Sequence, residues 1–349
     1  MRAAVFVGPG EPLQVRQVPD PEPGSDDLIL EVRACGVCGS DLHVSEVHDR
    51  SGGMAPLGAG AIMGHEFAGE VVAVGAGARD DWRPGERVCA LPYIAYGHCA
   101  ACLAGRGHRC PQVLYGGMGR LDGAYADYVR VGRYEALRLP AGVDFRLGAL
   151  VEPLAVGLHA VDRAGLSPGD AVLVVGAGPV GLAVALWCRF FGARRVVVSD
   201  LKPGRLDKAA ALGATDGIDA SREDVIGRFK QLAGQRPDVV FDCVGVPGSQ
   251  QLAIDYAPAD GRVVVVGVCM QPDTTMPVKA ITKELTLAYA FMYRRQDFEL
   301  GIELLDSGRI DPAAMITDTV GFDAFPDAFE ALKRPSTQCK LLLQPDLDR

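Results

Sequence analysis

The stretch Ala171-Val172-Leu173-Val174-Val175-Gly176-Ala177-Gly178-Pro179-Val180-Gly181 decides the fold. Five apolar residues run into a glycine-rich turn, and an apolar helical pattern follows over 180–191. A strand without alternation is buried on both faces, as in a parallel sheet covered by helices. The Gly-x-Gly-x-x-Gly turn alone is a weak signal, but its context is strong. A second apolar run over 195–199 follows and leads to Asp200, 19 residues after Gly181. That is near the spacing of a ribose-binding acid in a dinucleotide fold. Gly176 permits the tight turn, Gly178 lets the backbone approach a pyrophosphate, and Gly181 lets the helix pack on the strand. With Pro179 and Val180 they put a pyrophosphate at the positive end of the helix. Asp200 favours NAD over NADP, because a carboxylate accepts from both ribose hydroxyls and repels a 2′-phosphate. Lys202 and Arg205 temper that preference, since a cation there can hold the phosphate.

Outward from this turn the texture is regular on one side only. Towards the C-terminus, apolar runs alternate with helical patterns at 204–212, 238–243, 248–256 and 262–268. This alternation predicts a doubly wound parallel sheet. Helical patterns at 297–307 and 323–332 and an apolar strand at 340–343 close the chain. Towards the N-terminus, short β-type runs at 28–32, 69–74, 87–91 and 125–131 lie among Gly and Pro. They predict an irregular β-rich domain.

Composition agrees with two globular domains. There are 349 residues, 48% hydrophobic and 23% charged, and about 150 residues per domain is usual. The 43 glycines and 23 prolines stay below the share that marks disorder. The 18 uncharged residues over 171–188 approach the length of a membrane span, but their Gly-Pro centre reads as strand, turn and helix. The net charge of −9 and a pI near 5.2, with no basic run, exclude nucleic acid and anionic membrane as partners. Residues 1–12 have no long apolar core, so no secretory signal is expected. A cytoplasmic chain is expected, with its ten cysteines as reduced thiols or metal ligands. Six of the ten lie between Cys35 and Cys110, so metal chemistry is to be sought in the first third.

There the sequence reads Cys35-Gly36-Val37-Cys38-Gly39-Ser40-Asp41-Leu42-His43, and later Gly64-His65-Glu66. A C-x-x-C pair alone suggests redox chemistry, but no second pair lies nearby. One thiolate, one imidazole and one carboxylate make a zinc site with an open position. Together with Gly85-Glu86-Arg87-Val88, Asp122-Gly123-Ala124-Tyr125-Ala126-Asp127-Tyr128-Val129 and Glu152-Pro153-Leu154-Ala155-Val156-Gly157, these motifs resemble the zinc-dependent medium-chain alcohol dehydrogenase family. The resemblance covers nearly the whole chain. It implies an α/β protein with a β-rich GroES-like catalytic domain, residues 1–154 and 291–349, and an inserted Rossmann domain, residues 155–290, that binds NAD.

The resemblance also implies roles. Cys38 and His65 are zinc ligands, and Cys35 is core. As in the sorbitol and polyol branch, Glu66 and Glu152 supply carboxylates, directly or through water, and can exchange during the cycle. Ser40 and His43 form a proton relay, with Asp41 as a brace. His159 is core or faces the cofactor. One catalytic zinc per chain is expected. Many members carry a second zinc on four cysteines spaced C-x2-C-x2-C-x7-C. Here Cys99, Cys102 and Cys110 keep that register, and Tyr96 stands at the first position. Either the lobe holds no metal, which the lost ligand favours, or His98, His108 or Cys89 completes it.

The expected reaction is hydride transfer between a secondary alcohol and NAD, the alcohol being a polyol, vicinal diol, sugar or cyclitol. An amino-alcohol or aminocyclitol dehydrogenase is the next reading. A zinc-free enone or quinone reductase and a non-catalytic NAD-binding protein are the rivals, against the ligand set and the relay respectively. A homodimer or homotetramer is expected from the family. The substrate loops, such as 45–61 and 118–121, carry no readable code.

Overall fold

A computed structural model describes residues 1–48, 56–334 and 336–348. Residues 49–55 of the 45–61 loop therefore lie outside the described part. The chain divides into two compact units. The first comprises Met1–Glu152, Arg294–Arg309 and Ile316–Arg349, and the second Pro153–Tyr293 and Ile310–Met315. The chain passes from one to the other inside the helix Phe145–Ala164, at Pro153.

The first unit is the β-rich one. Its main sheet runs Ile316–Val320, Lys340–Leu343, Asp27–Gly36, Glu66–Val74, Arg87–Ala90, Ala136–Arg138, and Tyr128–Gly132 also pairs with Asp27–Gly36. All these pairings are antiparallel except that of Ile316–Val320 with Lys340–Leu343. The strand Asp27–Gly36 is longer than its alternation suggested, because both its faces are mostly covered. The run read as a strand over 125–131 is paired only over Tyr128–Gly132. Its start turns inward, so Tyr125 is fully buried and packs edge-on to Phe325 and Phe329.

The second unit has the doubly wound order. Its strands run Asp216–Asp219, Arg195–Asp200, Ala171–Val175, Val239–Asp242, Arg262–Val265, Thr286–Tyr289, all parallel. The order reverses beside Ala171–Val175, the switch point at which this fold binds ligands. Val172 to Val174 and Val196 to Val198 are completely buried, as runs without alternation require. The helical pattern at 204–212 is broken into Pro203–Leu206 and a 3₁₀ turn at Ala210–Leu212. Gly213, at φ 90°, then redirects the chain into the next strand, and the tightened turn ends the helix early. No helix among the described residues is long and apolar enough to cross a membrane.

The helix Val225–Ala233 shows how locally these elements are specified. Val225, Ile226, Phe229 and Ala233 form its buried stripe. Asp224 caps it by accepting from the Ile226 and Gly227 N–H groups, and Gly234 ends it at φ 76°. Asp224→Ala is expected to cost about 1 kcal/mol, the usual value of an N-cap. Urea unfolding measures it, and an unchanged midpoint would show that the cap contributes nothing.

Candidate metal centre and cofactor turn

The register of three strands gathers the metal donors. Gly36 pairs with Glu66 on one side and with Leu342 on the other. A side chain at Gly36 would run into the Glu66 carboxylate, so this position stays small. Two residues on, Cys38 is the N-cap of the short helix Gly39–Val44. Cys38, His65 and Glu66 each bring a donor atom to within 4.8 Å of the other two. Cys35 is fully buried in the core and stands outside this group. Glu152 is buried in the helix Phe145–Ala164 and is also not one of the three.

Asp41 braces the group. Its carboxylate accepts from the Cys38 N–H at 3.0 Å and the Tyr125 hydroxyl at 2.7 Å, and pairs with His65 Nδ1 at 3.2 Å. This leaves His65 Nε2 for a metal, in the arrangement by which a carboxylate orients a ligating imidazole. Burial opposes a charged Asp41, but His65, Tyr125 and the Cys38 N–H outweigh it and hold its pKa below the ordinary value. Burial likewise opposes an imidazolium at His65, yet Asp41 and Cys38 raise its pKa well above normal. Ser40 Oγ lies 3.5 Å from His65 Nε2. His43, in the last turn of the same helix, is exposed.

Two neighbours were given no role by the sequence reading. One is Tyr125, whose signal was only its place in the Asp122–Val129 run. The other is Lys340, a lone cation opening an apolar strand. Its Nζ donates to Glu66 Oε1 at 2.5 Å and to the Val37 carbonyl at 2.9 Å. The second oxygen, Glu66 Oε2, is buried with no hydrogen-bond partner. Buried polar atoms are rarely left so. A buried, unpartnered oxygen beside a thiol and an imidazole fits zinc.

The three lobe cysteines also come together. Cys99, Cys102 and Cys110 lie within 4.8 Å of one another, with 3.4 Å between the Cys99 and Cys102 sulfurs. His98, His108 and Cys89 do not belong to that group, and Tyr96 is exposed.

In the second unit, Gly176 is at φ 101°, a conformation that disfavours a side chain, and a Cβ at Gly181 would collide with the Gly176 carbonyl. Gly178 has nothing near its missing side chain, so a phosphate could approach its backbone. Gly178 caps the helix Pro179–Phe190 without a side-chain hydrogen bond. Asp200 ends its strand and accepts from the Ala177 and Lys202 N–H groups, each at 2.8 Å. The Arg205 guanidinium lies 3.9 Å away. The turn therefore fits a dinucleotide.

Comparison with known proteins agrees. The alcohol dehydrogenase GroES-like domain model matches residues 24–141, and the zinc-binding dehydrogenase model matches residues 179–307. A sorbitol dehydrogenase of Bacillus subtilis is 32% identical over 348 residues, covering 99% of this chain and 98% of that protein. The chain belongs to the zinc-dependent medium-chain alcohol dehydrogenase family. An L-threonine 3-dehydrogenase of Aeromonas hydrophila is 34% identical over 323 residues, 90% of this chain and 91% of that protein. A zinc-binding dehydrogenase from Sinorhizobium meliloti, solved bound to NADP, has a TM-score of 0.87 and 33% identity, with 99% of each chain covered. The dehydrogenase is thus an enzyme of catalytic zinc and a nicotinamide dinucleotide, as its sequence led one to expect.

Asp41→Ala is expected to lower zinc affinity by about 10–100-fold, the usual effect of losing a partner behind a ligand. Competition with a chromophoric chelator measures it. An unchanged affinity would show that His65 needs no brace.

Proposed function

We propose that the enzyme oxidises a secondary alcohol of the polyol, vicinal diol, sugar or cyclitol class with NAD, using Cys38, His65 and Glu66 as zinc ligands. The observation that carries this is the gathered trio with the unpartnered Glu66 oxygen. The first unit would hold zinc and substrate, and the second the dinucleotide. Similarity to a sorbitol dehydrogenase supports the substrate class. A zinc-free reductase would have no use for the trio.

When bound, zinc supplies a Lewis acid for the alcohol oxygen and NAD the hydride acceptor. The chain supplies the rest. Cys38 and His65 fix the donor geometry, and Asp41 keeps Nε2 of His65 turned to the site. Ser40 accepts the alcohol proton at Oγ as its own hydroxyl proton passes on towards His43. His43, three residues along the same helix and exposed, is placed to hand a proton to solvent. Glu152, buried in its helix, is the further carboxylate that the family resemblance assigns to the metal. Gly176, Gly178, Pro179, Val180 and Gly181 cradle the pyrophosphate, with Asp200 on the ribose and Arg205 beside it.

A second reading is oxidation of an amino alcohol, favoured by 34% identity to an L-threonine 3-dehydrogenase. We further infer a cytoplasmic homodimer or homotetramer. The ten free cysteines suit a reducing compartment. The edge strand Thr286–Tyr289, with Tyr289 and Phe291 exposed, offers a pairing surface.

Following NADH formation over polyols, cyclitols, diols and amino alcohols tests the substrate class, with activity expected on a polyol or diol and lost on chelation. Metal analysis should find one zinc per chain. Turnover that survives complete zinc removal would sink the proposal. Asp200→Ala should shift preference towards NADP, and an unchanged NAD to NADP ratio of kcat/KM would refute the ribose assignment.

A further inference from the structure

The cysteine lobe holds chemistry that the zinc centre does not use. Cys99 directly precedes the short helix Ala100–Leu103, and Cys102 stands inside it, one turn on. Their sulfurs are 3.4 Å apart. A disulfide needs about 2.05 Å, so the two sulfurs would have to close by only about 1.3 Å. The surroundings allow that shift. Gly97 and Gly105 bound the turn at φ 90° and 68°, and nothing crowds either glycine. Leu103, inside the turn, is 78% exposed, so little packing holds it.

Exposure singles out this pair. Cys99 and Cys102 are half-buried and reach solvent, whereas Cys110 is buried and its sulfur accepts from the Gln112 N–H at 3.4 Å. Cys35, Cys89 and Cys188 are also buried, and susceptibility to oxidation follows exposure. A closed four-cysteine zinc site would hold the two sulfurs as ligands. With Tyr96 at the surface, the lobe gathers only three among the described residues. Charge then points to a class of oxidant. The stretch 87–121 contains no Asp or Glu, although the chain carries a net charge of −9. It contains four arginines, of which Arg106 and Arg109 are exposed on the lobe. The Arg106 N–H donates to the carbonyl of Ala101, which lies between the two cysteines. A positive surface draws small anions.

We propose that Cys99 and Cys102 are a reversible dithiol–disulfide site that reacts with small anionic disulfides, of the class of glutathione disulfide. One cysteine sulfur attacks a sulfur of the incoming disulfide, whose S–S bond breaks and releases one small thiol. The other cysteine attacks the mixed disulfide so formed and releases the second small thiol. The protein pair gives up two electrons and two protons, and the small disulfide takes up both. No residue of the zinc centre takes part.

The test incubates the zinc-loaded enzyme with glutathione disulfide, alkylates the remaining thiols in denaturant and maps tryptic peptides by mass spectrometry. The peptide 88–106 should carry an internal bond between Cys99 and Cys102, with Cys89 alkylated. Dithiothreitol should restore both thiols. Cys99→Ser and Cys102→Ser should each abolish that bond, and Cys110→Ser should leave it. At low salt, glutathione disulfide should react at least about tenfold faster than cystamine, a cationic disulfide, and added salt should narrow the gap. A bond to Cys110, or one between two chains, overturns the proposal. So does a pair that stays reduced while metal analysis finds a second zinc per chain. Equal or inverted rates with the two disulfides overturn the assignment of an anionic oxidant.

Discussion

Asp41 is the group on which the metal centre depends. It is a buried carboxylate and must be satisfied where it stands. Its three partners come from three separate places: the Cys38 N–H at a helix start, the Tyr125 hydroxyl from the turn before a strand, and the His65 ring ahead of another strand. Each of these partners is fixed because Asp41 is fixed. The helix Gly39–Val44 is too short to be stable alone. Its start is held by the Asp41 side chain returning to the Cys38 N–H. One acid therefore sets the position of a thiol, the orientation of an imidazole and the start of the helix that carries Ser40 and His43.

The second unit solves a different problem in a similar way. A parallel sheet buried on both faces leaves the end of the strand Ala171–Val175 as the place where backbone polar groups are not all consumed. Asp200 occupies part of that place. By accepting from Ala177 it ties the glycine turn to the neighbouring strand, while Gly176 donates to the Ser199 carbonyl. The cradle for a pyrophosphate is rigid because its back is bonded to the sheet. Its front stays open because Gly178 has no side chain to fill it.

Much of this was legible in the sequence, and the reasons can be named. The runs 171–175 and 196–198 are apolar at every position, so their place in a parallel sheet needed no tertiary information. Cys38 and His65 were legible through short motifs of unusual residue types, and the structure brings their donors together with that of Glu66. Other features were misread where tertiary packing overrode local pattern. Tyr125 reads as a strand residue, but the buried Asp41 draws its hydroxyl inward. The 204–212 pattern reads as one helix, but it breaks after Leu206 and resumes as a 3₁₀ turn. Lys340 was invisible because its partner is 274 residues away in sequence and no spacing encodes such a pair. The helix Val225–Ala233 was the reverse case, with cap, stripe and terminal glycine all written locally.

The cysteine lobe shows what a loop keeps when one ligand changes. Its shape does not rest on sulfur alone. Leu103 and Ala104 donate back to Cys99 and Ala100, Arg106 to Ala101, and Cys110 to Gly107. Tyr115 donates to the His108 carbonyl and ties the lobe to the strand beside it. The Gln112 N–H also points at Cys110 sulfur, at 3.4 Å. The three thiols thus stay together through backbone bonds. Tyr96, exposed and packed edge-on to His98 at 5.4 Å, has moved to the surface rather than into the missing position. Three gathered thiols are one ligand short of the closed four-cysteine site. At the catalytic centre, by contrast, the open position is what the chemistry requires.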